Sequence, residues 1–246
     1  MADLALAARG VTVRFGGLVA VDDVELEVRS RELVGVIGPN GAGKTTLFHV
    51  LSGVLEPSSG RLVIAGDDLT GRPPHVFAAH GVARTFQTPR VFRDMTAEQN
   101  VRFGLEFAGR RRANGHDALA GAGAILEFLG LADSAGIPAG GLTPAKQRLL
   151  EIGMALGARP RILLLDEVAA GLTEAEVDTT AQLIRRVRDE LGLTVIWIEH
   201  AVRALMDCVE RVAVLHQGRK IADDLPHVVA RDPAVVEAYL GEESTL

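Results

Sequence analysis

The eight residues Gly38-Pro39-Asn40-Gly41-Ala42-Gly43-Lys44-Thr45 fit the pattern G-x-x-x-x-G-K-[ST], the composition of a loop that wraps phosphate groups. Glycines let such a loop curl until successive backbone N–H groups point inward at phosphate oxygens. A helix starting at its end adds partial positive charge. In that geometry Lys44 reaches the β- and γ-phosphates of a nucleoside triphosphate and the Thr45 hydroxyl ligates Mg²⁺, while Asn40, Gly41, Gly43 and Thr46 belong to the cradle. Average residue frequencies give about one accidental match per hundred chains of this length. The chain has only three lysines, Lys44, Lys146 and Lys220, so an accident is rarer still. The bland alternative is a Gly-rich turn with a solvated lysine. The flanks oppose it: the apolar run Leu33–Ile37 enters the loop, and Thr46–Leu51 leaves it with helical character.

Phosphoryl transfer to water needs a held metal and an aligned water behind the γ-phosphate. Asp166, at the carboxyl end of the apolar run Ile162–Asp166, is placed to hold Mg²⁺ through water. Glu167, next to it, orients or deprotonates the attacking water. His200, just after the apolar run Thr194–Ile198, reaches the γ-phosphate or that water, and Gln87 closes a third extended run, Val82–Phe86. Singly, each has a plain reading: a strand-end cap with a solvated neighbour, or a satisfied histidine at a helix start. Together with the loop they converge on the strand-end edge where open α/β sheets bind ligands.

The elements that must position these groups are legible from period and punctuation. Leu4–Phe15 and Leu18–Val28 read as two antiparallel strands joined at Gly16-Gly17, a small β-layer ahead of the loop. Phe15 could stack on a base, whereas the alternation with Val11 and Val13 favours a core aromatic at a strand end. Arg61–Ile64 is a short strand, and a helix ends near His80. Between residues 90 and 140 the apolar residues Leu119, Ile125, Leu126 and Leu129 fall at helical spacing, as expected of a helical insertion with a loop near Ala113–His116. Its Arg110-Arg111-Arg112 is a solvated stretch or a contact for acidic lipid. A helix starts near Pro144, another runs from a Thr173 cap to about Leu191, strands cover Val212–Leu215 and Lys220–Ala222, and Pro233–Leu240 is helical. Strands alternating with helices predict an α/β fold of the P-loop NTPase type, with a mostly parallel central sheet, the antiparallel β-layer and a helical subdomain at about 90–158, all in one domain spanning 1–246.

Bulk properties exclude other classes. Hydrophobic residues make up 48% and charged residues 24%, ordinary for a globular protein. A net charge of −6 with 4% aromatics argues against a nucleic-acid grip, which needs a basic face and stacking platforms. Cys208 is the single cysteine, so no internal disulfide forms. No basic-then-apolar leader opens the chain and no apolar run approaches the roughly 20 residues of a membrane span, so a cytoplasmic location is expected.

In order, the loop Gly38–Thr46, Gln87, Leu142–Arg148, Asp166-Glu167 and His200 resemble the ATP-binding subunit of an ABC transporter over essentially the whole chain. The resemblance implies two subunits, of the same chain or of a paralogue, arranged head to tail with ATP and Mg²⁺ between them. Each loop then faces the other subunit's signature segment. It makes Phe15 the adenine-stacking residue, with Ala20 or Val21 beside it. Gln87 becomes the group that contacts Mg²⁺ and reports the site's state to an integral-membrane permease. Asp166 is the metal carboxylate, Glu167 the catalytic one and His200 the γ-phosphate switch. Phe15–Val21, Arg84-Thr85-Phe86-Gln87 and Glu237–Gly241 are similar to the branched-chain amino-acid importers. Urea and amide importers and the lipopolysaccharide-export ATPase share parts of the pattern.

That implies a subunit peripheral on the inner face of the cell membrane, in indirect contact with a solute-binding protein, with Arg90–Phe103 as the permease contact. The signature segment departs from the family: Leu142-Thr143-Pro144-Ala145-Lys146 replaces Leu-Ser-x-Gly-Gln. Thr143 keeps a hydroxyl for the partner's γ-phosphate, Ala145 puts a methyl where a glycine comes close to it, and Lys146 adds positive charge there. Val168 replaces the usual proline, and Thr173 an aspartate or asparagine. These departures motivate an alternative, a nucleotide-gated interaction subunit with weak hydrolysis. The family's breadth leaves another, the ATPase of a lipid or lipopolysaccharide exporter.

Overall fold

The computed structural model describes residues 3–107, 119–199 and 202–243. Two sheets organise it. A six-stranded sheet has the order β10-β9-β3-β8-β7-β6, with β3 Leu33–Ile37, β6 Val82–Arg84, β7 Ile162–Asp166, β8 Thr194–Ile198, β9 Arg211–His216 and β10 Arg219–Asp224. Its strands from β9 to β6 run parallel, and β10 is added antiparallel at one edge. A four-stranded antiparallel sheet has the order β2-β1-β4-β5, from β1 Leu4–Phe15, β2 Leu18–Arg29, β4 Ser59–Ile64 and β5 Asp67–Asp68.

The central strands read as unbroken apolar runs because they are covered on both faces. Alternate residues enter two separate cores. Leu33, Ile37, Leu163, Leu165, Val195 and Trp197 face one, where helices α5 (Pro144–Gly157), α6 (Glu174–Leu191) and α7 (Val202–Met206) pack. Val34, Val36, Leu164, Ile196 and Ile198 face the other, shared with α1 (Lys44–Leu51) and the inner side of the antiparallel sheet. The helical portion is built from α3 (Ala97–Phe107), α4 (Ala122–Phe128) and α5, joined through Val101, Ile125, Leu126, Leu129 and Leu150. Gly153 permits that closeness, since a Cβ there would lie 2.7 Å from Leu129 Cδ1. The described residues also include the helices α2 (Pro74–Ala79), α8 (Pro226–Val229) and α9 (Pro233–Glu243).

The structure revises several expectations. Strand β6 stops at Arg84 instead of continuing to Phe86. The Thr85 N–H still donates to Leu164 O at 2.9 Å, but the Phe86 N–H turns to the Glu151 carboxylate at 3.3 Å. Gln87 therefore lies on a loop, three positions past the strand. Phe15 is 51% exposed, which overturns the core-aromatic reading: it pairs with exposed Leu18 at the tip of the β1–β2 hairpin. β4 begins at Ser59, two residues early, and α7 and α8 carried no pattern long enough to notice. The Arg110–Arg112 stretch and the loop at Ala113–His116 lie outside the described residues. No helix among the described residues is long and apolar enough to cross a membrane.

Candidate ATP-binding site

The loop Gly38–Thr45 joins β3 to α1, and two of its glycines are sterically required. Gly38 has φ +152° and a Cβ there would lie 2.1 Å from Leu215 O; Gly43 has φ +98° and a Cβ would lie 2.3 Å from Ala20 O. Side chains at either position would collide with backbone, so the loop's curl depends on hydrogen at both. Gly41, at φ +73°, has open space beside it. Lys44 is buried, and its Nζ donates to Gly38 O at 2.6 Å and Pro39 O at 2.9 Å, so the ammonium sits inside its own loop. Asn40 and Thr45 are exposed and Thr46 is half-buried, at the start of α1.

Strand register brings the other groups to the same edge. Val36 pairs with Ile198 and Ile198 with Asp166, so the ends of β3, β8 and β7 are level. Asp166 is buried, and its carboxylate meets Arg84 Nη2 at 3.1 Å. Its N–H donates to Thr85 Oγ1 at 3.1 Å. Burial pushes the Asp166 carboxyl up, Arg84 pulls it down, and the neighbouring Glu167 raises it again. Arg84 also donates to Ser52 Oγ at 2.9 Å, at the end of α1. His49 of α1 is held below its ordinary value by burial and then by Arg84.

Glu167 adopts φ +49°, a conformation costing about 1–3 kcal/mol for such a residue. Its surroundings hold it there. The Glu167 N–H donates to Ile198 O at 3.0 Å, and its carbonyl accepts from Arg148 Nη1 at 2.7 Å. The side chain turns to Gln87, whose Nε2 donates to Glu167 Oε2 at 2.7 Å. Glu199, buried at the end of β8, accepts from the Ala169 N–H at 2.6 Å and so fixes the turn that follows Glu167. His200 lies outside the described residues.

The segment Thr143–Lys146 opens α5. Thr143 is the N-cap, its Oγ1 accepting from the Lys146 N–H at 3.3 Å, and Lys146 Nζ donates to the buried Ser134 Oγ at 2.9 Å. Ala145 is half-buried on the first turn. The structure thus gathers the loop, Gln87, Asp166 and Glu167 at one edge and puts Thr143, Ala145 and Lys146 on the helical portion. Sequence reasoning quoted Arg84 only within a motif and missed Glu151 and Glu199 as site-shaping residues. The available signal was a lone carboxylate inside an apolar run, as in Leu149-Leu150-Glu151-Ile152 and beside Trp197-Ile198.

The donor set fits a hard divalent cation that arrives with phosphate. Thr45 offers a hydroxyl and Asp166 a carboxylate, and no group of three or more His, Cys, Asp or Glu gathers among the described residues. Mg²⁺ is commonly bound in this way, by one or two protein oxygens with phosphates and water supplying the rest.

Comparison with known proteins places the chain in a family. Residues 21–170 match the ABC transporter family, and residues 219–245 match the family described as branched-chain amino acid ATP-binding cassette transporter. The chain is 40% identical to the high-affinity branched-chain amino acid transport ATP-binding protein BraF of Pseudomonas aeruginosa, covering 96% of this chain and 98% of that one. It is 41% identical to LivG of Salmonella typhimurium, a protein with the same description, with the same coverage. Among solved structures, the ADP conformation of MJ1267, an ATP-binding cassette of an ABC transporter, superposes with a TM-score of 0.86 at 29% identity, covering 97% of this chain and 99% of that chain. The chain belongs to the ABC transporter family, as one of its ATP-binding cassettes.

Proposed function

We propose that this chain hydrolyses Mg-ATP to power an importer of branched-chain amino acids or related small polar solutes. The observation that carries the reading is the Gln87–Glu167–Asp166 cluster at the strand ends beside the Gly38–Thr45 loop. The 40% identity to BraF supports the solute class. Lys44 would bind the β- and γ-phosphates, and Thr45 and Asp166 would hold Mg²⁺, with Gln87 contributing. A cation held there would supply neutralisation of the phosphate charge. Glu167 aligns the attacking water and takes its proton, and His200 meets the γ-phosphate. Phe15, exposed at its hairpin tip, packs on adenine.

Two subunits, identical or paralogous, close head to tail, so that Thr143, Ala145 and Lys146 of one face the other's γ-phosphate. The cassette sits peripherally on the inner face of the membrane, bound to permease subunits and only indirectly served by a solute-binding protein. The permease contact is Arg90–Phe103, where exposed Phe92 and Phe103 meet edge to face, ring centroids 4.6 Å apart.

The test is light scattering on Glu167→Gln protein with and without Mg-ATP. Removing the carboxylate that takes the water's proton is expected to trap a closed dimer with ATP and abolish turnover. A variant that hydrolyses ATP at the wild-type rate, or fails to bind it, overturns the assignment.

A further inference from the structure

The loop leaving β6 is tied down in an unusual way. After Thr85 it has no strand partner, yet the Phe86 and Arg90 N–H groups both find acceptors, one on each oxygen of Glu151: Phe86 to Oε2 at 3.3 Å, Arg90 to Oε1 at 2.9 Å. Glu151 is 6% exposed and stands on α5, the helix that begins at the signature segment. The two tethered amides bracket Gln87. Between them the Phe86 ring lies under two guanidinium groups, Arg84 at 4.7 Å and Arg90 at 4.2 Å from the ring centroid. One turn earlier on the same helix, Arg148 Nη1 donates to Gln87 O at 3.4 Å and to Glu167 O at 2.7 Å. Helix α5 therefore grips the Gln87 loop by both a carboxylate and a guanidinium.

We propose that Glu151 is a positioning residue for ATP hydrolysis: it locks the loop carrying Gln87 to α5, so that Gln87 and Glu167 keep their register only when the signature helix is in place. The inference rests on the reading of the chain as an ATPase. The chemistry requires a carboxylate specifically. Two backbone donors meeting one buried side chain need two acceptor oxygens, and a carboxylate presents only acceptors. A glutamine of the same shape presents one oxygen and one NH₂, which would face an N–H donor to donor. A buried amide NH₂ in place of a Glu151 oxygen, pressed against an N–H donor and left unsatisfied, costs more than the hydrogen bond it replaces. The loop would then shift, taking the Gln87 side chain away from Glu167. Movement of α5 is transmitted to the catalytic carboxylate by the same tether, alongside the Arg148 hydrogen bond to the Glu167 carbonyl.

A double-mutant cycle tests this, using steady-state Mg-ATPase of the full chain. At about pH 8.5, where Glu151 is ionised, Glu151→Gln is expected to lower kcat about tenfold while KM for ATP stays within about twofold. In the Gln87→Ala background the same substitution is expected to add nothing, because its effect passes through Gln87. Multiplicative losses in the double variant, a rise in KM with kcat unchanged, or no loss at all would each overturn the proposal. Amide hydrogen exchange on the wild-type protein gives a readout independent of any variant's folding and of turnover. The Phe86 and Arg90 amides are expected to exchange slowly although they lie outside helix and strand. Exchange at the rate of an open loop would overturn the tether, whereas absence of wild-type turnover would strike the ATPase reading instead.

Discussion

Arg84 sets the electrostatic balance of the site at the scale of single residues. A buried carboxylate beside a second one resists ionisation: burial raises the Asp166 carboxyl, and the Arg84 guanidinium at 3.1 Å opposes that rise. Glu151 has a weaker compensation. Burial lifts its carboxyl from 4.5 to about 7, opposed by the Arg90 and Phe86 N–H groups and by the charges of Arg148 and Arg90; Arg84, on β6, is also within its field. The sign follows from linkage. The folded chain holds this proton more tightly than the unfolded chain, so the stability it contributes is complete below about 4.5 and is lost as pH rises through about 7. The span is of order 3 kcal/mol. Denaturant titrations at about pH 5 and about pH 8 should show wild-type stability falling more steeply across that range than Glu151→Gln stability. Equal slopes would mean that Glu151 ionises at an ordinary value.

At the scale of elements, the parts most legible in the sequence are those whose order is local. The boundaries of β3, β7 and β8 coincide with continuous apolar runs ending in Gly, Asp or Glu, and α5 and α6 begin where Pro144 and Thr173 said they would. Thr173 forms a full capping box: its Oγ1 accepts from the Glu176 N–H at 3.4 Å, while Glu176 Oε2 accepts from the Thr173 N–H at 2.9 Å. What the sequence left hidden depends on partners far along the chain. β6 ends early because Phe86 finds an acceptor 65 residues away, and Glu199 looks like any polar strand end until it meets Ala169. Phe15 misled because alternation continues to the hairpin tip, where no second layer covers it. The cap makes a local claim that can be checked. Thr173→Ala should cost about 1 kcal/mol and lower Tm by about 2–4 °C, seen in a thermal melt. A cap that matters only in the closed dimer would leave the monomer's melt unchanged.

For the whole molecule, the question is how a site at the sheet edge acts on a membrane partner. The chain from Gln87 to Phe103 supplies a continuous path. Asn100, fully buried on α3, receives the Phe92 N–H at 2.8 Å and donates to the carbonyls of Phe92, Met95 and Thr96 at 3.1, 3.2 and 2.9 Å. The Phe92–Phe103 pair is thereby mounted on a rigid frame whose other end is the Glu151 tether. Two exposed aromatics in edge-to-face contact, held by a buried amide, suit an apolar partner surface. Introducing charge there, as Phe92→Glu with Phe103→Glu, should leave basal Mg-ATPase within about twofold of wild type, since both rings are exposed on the Arg90–Phe103 stretch and the hydrolytic cluster is built from Gln87, Asp166 and Glu167. Stimulation of turnover by permease in proteoliposomes, and solute uptake with it, should be lost. Were uptake to persist with stimulated turnover intact, the permease would have to dock elsewhere. Were basal hydrolysis to collapse instead, these rings would belong to the frame of the site, and the path from Gln87 to the membrane would begin on another face of the helical portion.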